Sequence, residues 1–156
     1  MAGKARFGSF AEFYRALYLK EHASATCRAL HVGGTLLFGA YCLAHPRALL
    51  SIATALAAGH AVRVLTRQHA TGLVEMAGML GTFLAMQAAA YGWSAPAVLA
   101  NGAAPMALGY GPAWVGHYFF EGNRPATFVH PVFSFQGDIV MCADYLLGRL
   151  PPPKSN

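Results

Sequence analysis

Apolar residues run through this chain in long blocks, and the few polar clusters between them mark the turns. No Asp, Glu, Lys or Arg occurs within residues 29–46, 48–62 or 76–120. The last interval holds 45 residues, enough for two membrane-crossing helices at roughly 20 residues each. Gly92, Ser94 and Pro96 break it, which predicts spans near residues 73–92 and 96–118. The first two intervals, of 18 and 15 residues, are short for a span. They predict a thin or re-entrant helical hairpin, or the buried helices of a greasy soluble protein, over about Cys27–Ala44 and Ala48–Gln68, closed by the turn His45-Pro46-Arg47.

Both ends carry a different pattern. Ser9-Phe-Ala-Glu12 has the form of a capping box and predicts a helix start at Ser9. Phe10, Phe13, Tyr14, Leu17 and Tyr18 then share one helical stripe, which His22 continues, while Glu12, Arg15 and Lys20 lie elsewhere. Ser24 and Thr26 are cap residues for the next helix. Near the other end Pro125 and Pro131 interrupt the chain. Phe133–Leu150 follows as an amphipathic helix with Phe135, Ile139, Cys142, Tyr145 and Leu146 on one face. The expected fold is all-α: an integral membrane bundle of about four spanning helices, with amphipathic interfacial helices at both ends. It forms one domain over residues 1–150, with a disordered tail at 151–156.

Composition and charge sharpen this picture. Hydrophobic residues make up 56% of the chain and charged residues only 11%, against about 25% charged in ordinary soluble domains. With four crossings, ten of the 11 Lys and Arg residues fall on one side and only Arg47 on the other. That is the asymmetry expected of a multi-pass protein with both termini in the cytosol. The net charge of +5 is explained by topology, and no basic cluster with interleaved aromatics points to nucleic acid. Cys27, Cys42 and Cys142 lack metal or disulfide spacing and read as free thiols. Nothing in the pattern fixes an oligomeric state.

The candidate chemistry lies in the histidines. The topology places His22, His31, His60, His69, His117 and His130 at or near the cytosolic face and only His45 on the far side. Polar side chains at membrane depth are expensive unless paired, so such a cluster marks a site. His60 and His69 each read as interfacial or hydrogen-bonded residues, and His45 as part of a turn. His117 and Glu121 are four residues apart on one helix face, where they could share a metal, or the Glu could orient the His. His22 and His31 can face one cavity because the Ser24–Thr26 break separates their helices. Imidazole-rich sites suit Zn, Cu, Fe or Ni. Without a suitably spaced thiolate, non-haem iron is the reading, with zinc its chemical competitor.

The stretches FYRALYLKEH (Phe13–His22), ALHVGG (Ala29–Gly34) and AWVGHYFFEGNRPATF (Ala113–Phe128) resemble the 2-hydroxy-palmitic acid dioxygenase family, over about Phe10 to Asp144. The block Gly116, His117, Phe120, Glu121, Arg124, Pro125, Ala126 is the most specific part. The chain departs from the family where Ala23-Ser24-Ala25 replaces an Asn-rich turn. The resemblance implies a membrane-embedded, Fe(II)-dependent enzyme that uses O2 to shorten a 2-hydroxy fatty acid by one carbon. It implies His22, His31 and His117 as metal ligands, with His130 as a further candidate. Glu121 and Arg124 are the candidate catalytic residues. Arg124 could pair with the substrate carboxylate in bidentate geometry, or anchor the chain among lipid headgroups.

That chemistry is consistent with the residues. A 2-hydroxy carboxylate can chelate iron, and three His ligands on an octahedral ion leave positions for this chelate and for O2. The overall change, RCH(OH)COOH plus O2 giving RCOOH, CO2 and water, balances without an outside reductant, so no flavin or nicotinamide fingerprint is required. Two other classes compete: a bis-histidine haem electron-transfer protein, and a membrane scaffold whose histidine cluster is incidental.

Overall fold

The computed structural model describes residues 7–66 and 71–154, and every regular element among them is helical. The first helix starts where the capping box predicts. Ser9 is extended, and its Oγ accepts from the Glu12 amide at 3.3 Å. The helix runs as α1 (Phe10–Phe13), a π-helical turn (Tyr14–Tyr18) and α2 (Leu19–Glu21). Phe13, Tyr14, Tyr18 and His22 are buried, so the aromatic stripe faces inward as its spacing requires. His22 leaves the helix (φ −121°, ψ 57°), and Ser24 caps α3 (Ala25–Ala44) by accepting from the Cys27 amide.

α4 (Pro46–Thr66), α5 (Leu73–Tyr91) and α6 (Ala95–Val115) follow. The break between α5 and α6 forms at the predicted residues: Gly92 ends α5 with φ 99°, and Ser94 caps α6 through the Ala97 amide. α6 passes into a second π-helical stretch, Gly116–Glu121, then a 3₁₀ turn, Ala126–Phe128, and finally α7 (Pro131–Leu146). The α4–α5 and α3–α6 pairs make the most extensive helix contacts. α3 therefore begins, and α6 ends, at the same end of the bundle.

Among the described residues, three helices are long and apolar enough to cross a membrane: α3, α4 and α5, with mean hydropathies of 1.2, 1.6 and 1.4. Only 22–33% of each such window is buried within the protein, so most of the apolar surface faces outward. Leu36, Leu37, Leu43, Leu50 and Leu65 are among the exposed residues. A water-facing surface rarely carries so much continuous apolar area, whereas lipid accommodates it. The intervals that charge spacing made short lie in helices long enough to cross, because Arg28 sits in the first turn of α3 and Arg47 and Arg63 in the terminal turns of α4. α6 is of equal length but is not among the three. Asn101, its internal Pro105 and Pro112, and several glycines dilute its hydropathy.

Two clusters form the core. Phe13, Tyr14, Tyr18, Ala126, Val132, Phe133 and Met141 pack where the first helix meets α7, and Cys42, Ile52, Ala55 and Phe83 form a second cluster. The three cysteines are free and buried. α7 presents the predicted face only in part: Cys142 is buried and Phe135 packs against the second core cluster. Phe133, Ser134, Gly137 and Met141 turn inward, while Ile139, Tyr145 and Leu146 are exposed. The reason is a tertiary contact: Gly137 packs directly on the Tyr18 ring, which fixes the rotation of α7. The chain after α7 is irregular yet attached over Pro151–Lys154, where a loose tail was expected. The Arg28 guanidinium donates to the Pro151 carbonyl at 2.5 Å, and the Lys154 amide to the Ala23 carbonyl at 3.0 Å.

A Cβ at Gly137 would lie 2.5 Å from Tyr18 Cε2. Gly137→Ala is therefore expected to destabilise the protein by about 1–3 kcal/mol through overpacking, read as a lowered Tm in detergent, whereas Gly39→Ala, inside α3 with open space at its Cβ, should not lower Tm.

Candidate metal centre

His22 arrives at the end of the aromatic stripe, His31 from the second turn of α3 and His117 from the π-helical stretch after α6. All three are buried, with exposures of 1%, 4% and 2%. Their rings touch one another. Centroid separations are 4.3 Å (His22–His31), 4.7 Å (His22–His117) and 5.0 Å (His31–His117), with ring planes crossing at 86°, 71° and 87°. One ring nitrogen from each lies within 4.8 Å of the others. Mutually perpendicular imidazoles converging from three segments make one face of a coordination sphere.

The hydrogen bonds show which nitrogens are available. His22 Nδ1 meets the Tyr18 carbonyl at 2.6 Å, and a carbonyl can only accept, so Nδ1 carries the proton. His31 Nδ1 meets Asp138 Oδ1 at 2.7 Å. His117 Nδ1 meets Asn123 Oδ1 at 2.6 Å, and the Asn123 amide is oriented by donating to the Glu21 carbonyl at 3.0 Å. Each Nδ1–H is thus held by an oxygen, as the outer ring nitrogen of metal-bound histidines usually is. The Nε2 atoms of His22 and His31 are buried with no hydrogen-bond partner. Buried polar atoms are rarely left so, and a cation would satisfy both lone pairs. The donor set therefore fits a metal ion. Burial, reinforced by the neighbouring His31, lowers the His22 pKa well below its ordinary value and keeps the ring in the neutral form that binds metals.

Neighbouring residues hold this arrangement. Asp138 accepts from both His31 and the Tyr18 hydroxyl. Burial, then the Asp138 carboxylate, pushes the Tyr18 pKa well above its usual value, so the phenol stays a donor. Buried Arg28 donates through Nε to the His22 carbonyl at 2.6 Å, fixing the non-helical turn that swings His22 inward. Gly122 (φ 64°) reverses the chain after the π-helical stretch and brings Asn123 back beneath His117.

Three candidates stand elsewhere. His130 is fully buried, but its Nδ1 accepts from Arg63 at 3.3 Å and its ring packs on Phe7, Phe13 and Phe133. It belongs to a polar cluster in which Arg63 also lies 3.7 Å from Glu75, and Glu75 accepts from the Val132 amide at 3.0 Å. The structure does not bring His130 to the other three. Glu121 does not pair with His117. The Glu121 carboxylate is engaged by α3 instead, its Oε1 accepting from the Ser24 amide at 2.6 Å. Arg124 is exposed, its guanidinium 5.5 Å from the Phe128 ring centroid. Of the remaining histidines, His45 and His60 are exposed, and His69 lies outside the described residues.

The three histidines line a cavity of about 10 Å³ together with Tyr18, Tyr110, Trp114, Thr127, Ser134 and Asp138, among others. Tyr110, Trp114, Thr127 and Asp138 also line an apolar cleft of about 510 Å³ that runs between the helices past Phe38, Ile52 and Phe83. That volume is within the usual range for small-molecule sites. Asp138, Asn123 and Ser134 went unrecognised in the sequence. Asp138 had a signal: it is the sole charged residue between Pro131 and Ala143, and an isolated carboxylate in an apolar helix needs a partner.

Fold and site together define a helical, lipid-compatible protein with a three-histidine centre at the head of an apolar cleft. Residues 7–150 match the family described as 2-hydroxy-palmitic acid dioxygenase Mpo1-like, and the chain belongs to that family. No curated protein and no solved structure matches it at significance.

Loss of an oxygen that holds a ligating imidazole typically weakens metal binding 10–100-fold. Asn123→Ala is expected to fall in about that range in a competition titration. His31→Ala should abolish binding, and His130→Ala should keep the wild-type metal stoichiometry.

Proposed function

We propose that this protein is an Fe(II)-dependent dioxygenase, embedded in a membrane, that converts a 2-hydroxy fatty acid and O2 into the fatty acid one carbon shorter, CO2 and water. The observation that carries the reading is the junction of a buried three-histidine cavity with an apolar cleft through shared walls, Tyr110, Trp114, Thr127 and Asp138. The family's name supports both the reaction class and the substrate class. Iron bound by His22, His31 and His117 supplies the redox chemistry through which O2 reacts with a 2-hydroxy carboxylate.

The chain's own residues supply the rest. The cleft takes the acyl chain, each buried methylene contributing about 0.8 kcal/mol. Its apolar walls exclude water from the reacting head. Asp138 and Asn123 hold the Nδ1 protons of His31 and His117, leaving Nε2 as the donor atom. Arg124, exposed beside the cleft-lining Phe128, is assigned to draw the fatty-acid carboxylate from the headgroup layer. Glu121 supports the site by holding the first turn of α3. The haem alternative is disfavoured because the three imidazoles pack ring against ring at 4.3–5.0 Å, with no slot between them for a flat macrocycle.

We assign α6 as a fourth span beside α3, α4 and α5, with the helices at both ends lying at the inner surface and the metal centre cytosolic. The ten-to-one distribution of Lys and Arg supports this orientation. Under it, His45→Cys in intact cells should react with a membrane-impermeant thiol reagent and Arg149→Cys should not. The reverse pattern overturns the orientation.

Purified protein given Fe(II), O2 and 2-hydroxypalmitate is expected to yield pentadecanoic acid and CO2, detected by mass spectrometry. His22→Ala and His117→Ala should lose both iron and product. Iron-loaded wild-type protein that leaves the substrate unchanged would overturn the assignment.

A further inference from the structure

We infer that Ser134 is a substrate-positioning residue, its hydroxyl donating a hydrogen bond to the carboxylate of the bound 2-hydroxy acid. The inference rests on the dioxygenase reading and assigns one residue within that site. Ser134 lies in the first turn of α7, is 4% exposed and lines the histidine cavity. Its Oγ has no hydrogen-bond partner.

The local acceptors are unused. Ser and Thr hydroxyls in helices often bond back to the carbonyl four residues earlier, as Ser51 and Thr66 do in this protein. For Ser134 that carbonyl is His130 O, which accepts from the Ser134 amide at 2.8 Å but not from the Ser134 hydroxyl. Asp138, one turn onward, shares the cavity, but its Oδ1 accepts from Tyr18 and His31 and makes no bond to Ser134. A buried hydroxyl without a partner is costly, and an apolar residue of the same size would avoid that cost. The hydroxyl becomes useful when an acceptor enters the cavity.

The ligand supplies that acceptor. A 2-hydroxy carboxylate that offers its hydroxyl and one carboxylate oxygen to a metal has a second carboxylate oxygen left over. That oxygen carries charge and has lost its water, so it requires a donor, and the neighbouring Asp138 carboxylate, an acceptor, would repel it. Ser134 is the buried hydroxyl in this cavity whose donor is uncommitted.

The test is the dissociation constant of 2-hydroxypalmitate for iron-loaded, full-length protein in detergent under anaerobic conditions, with 1,2-hexadecanediol as a ligand of equal chain length lacking the carboxylate. Ser134→Ala is expected to weaken 2-hydroxypalmitate binding by roughly 10–100-fold, the range for losing a hydrogen bond to a charged group. It should leave iron content and diol affinity within about twofold of wild type. Ser134→Thr, which keeps the hydroxyl, should restore acid binding. Ser134→Cys fills the space with a weak donor and should reproduce the loss, deciding the matter if the alanine variant does not fold. Unchanged acid affinity in Ser134→Ala or Ser134→Cys overturns the inference, as does equal loss for acid and diol. Should wild-type protein fail to bind 2-hydroxypalmitate, the dioxygenase reading itself falls and takes this assignment with it.

Discussion

Two buried imidazole nitrogens with no hydrogen-bond partner, His22 Nε2 and His31 Nε2, set the terms for the rest of this structure. An apolar bundle would ordinarily expel or pair such atoms. Here each ring is turned the other way by an oxygen on its Nδ1, so the lone pairs are held toward each other and toward His117. Those oxygens come from a helix carbonyl, a carboxylate on the last helix and an amide behind a glycine turn. The helix ends near the site are arranged so that these three oxygens arrive together.

The surrounding packing follows from that requirement. The π-helical turn at Tyr14–Tyr18 and the non-helical backbone of His22 bring one ring in, and Arg28 fastens the turn from below. The same guanidinium holds the chain after α7, which ties both ends of the protein to the histidine cavity. Gly137 lets Tyr18 lie flat on α7, placing the Tyr18 hydroxyl and His31 on one Asp138 oxygen. Arg63, Glu75 and His130 form a separate polar cluster that links α4, α5 and the segment before α7. A lone ionised group buried there would be destabilising, whereas the cluster neutralises it internally.

Function depends on how that polar end meets an apolar interior. The cleft is lined almost entirely by carbon, and apart from Thr35 its polar side chains, Tyr110, Trp114, Thr127 and Asp138, lie in the wall shared with the histidine cavity. Such a site can hold a long chain by burial while presenting only its head to a metal. The same arrangement in a water-filled pocket would hydrate the head and weaken every directional contact made to it.

The sequence by itself determined the helices and their breaks, and it offered His22, His31, His117 and His130 as ligands, of which the structure brings the first three together. Ser9, Ser24 and Ser94 cap where their chemistry predicts, and Gly92 ends a helix with a backbone angle that favours glycine. These are local effects, readable from neighbours in the chain. The aromatic stripe from Phe13 to His22 was legible for the same reason. Tertiary structure alone decided which face α7 buries, since that depends on Gly137 meeting a ring more than a hundred residues away. It also decided the partners of Glu121 and His130. Spacing of four allows Glu121 to meet His117, but the Ser24 amide, nearly a hundred residues away in the chain, takes its carboxylate. His130 has the residue type of a ligand, but Arg63 from a distant helix occupies its Nδ1. Asp138, Asn123 and Ser134 gain meaning only beside the histidines, because hydrogen bonds between distant segments leave no periodicity along the chain.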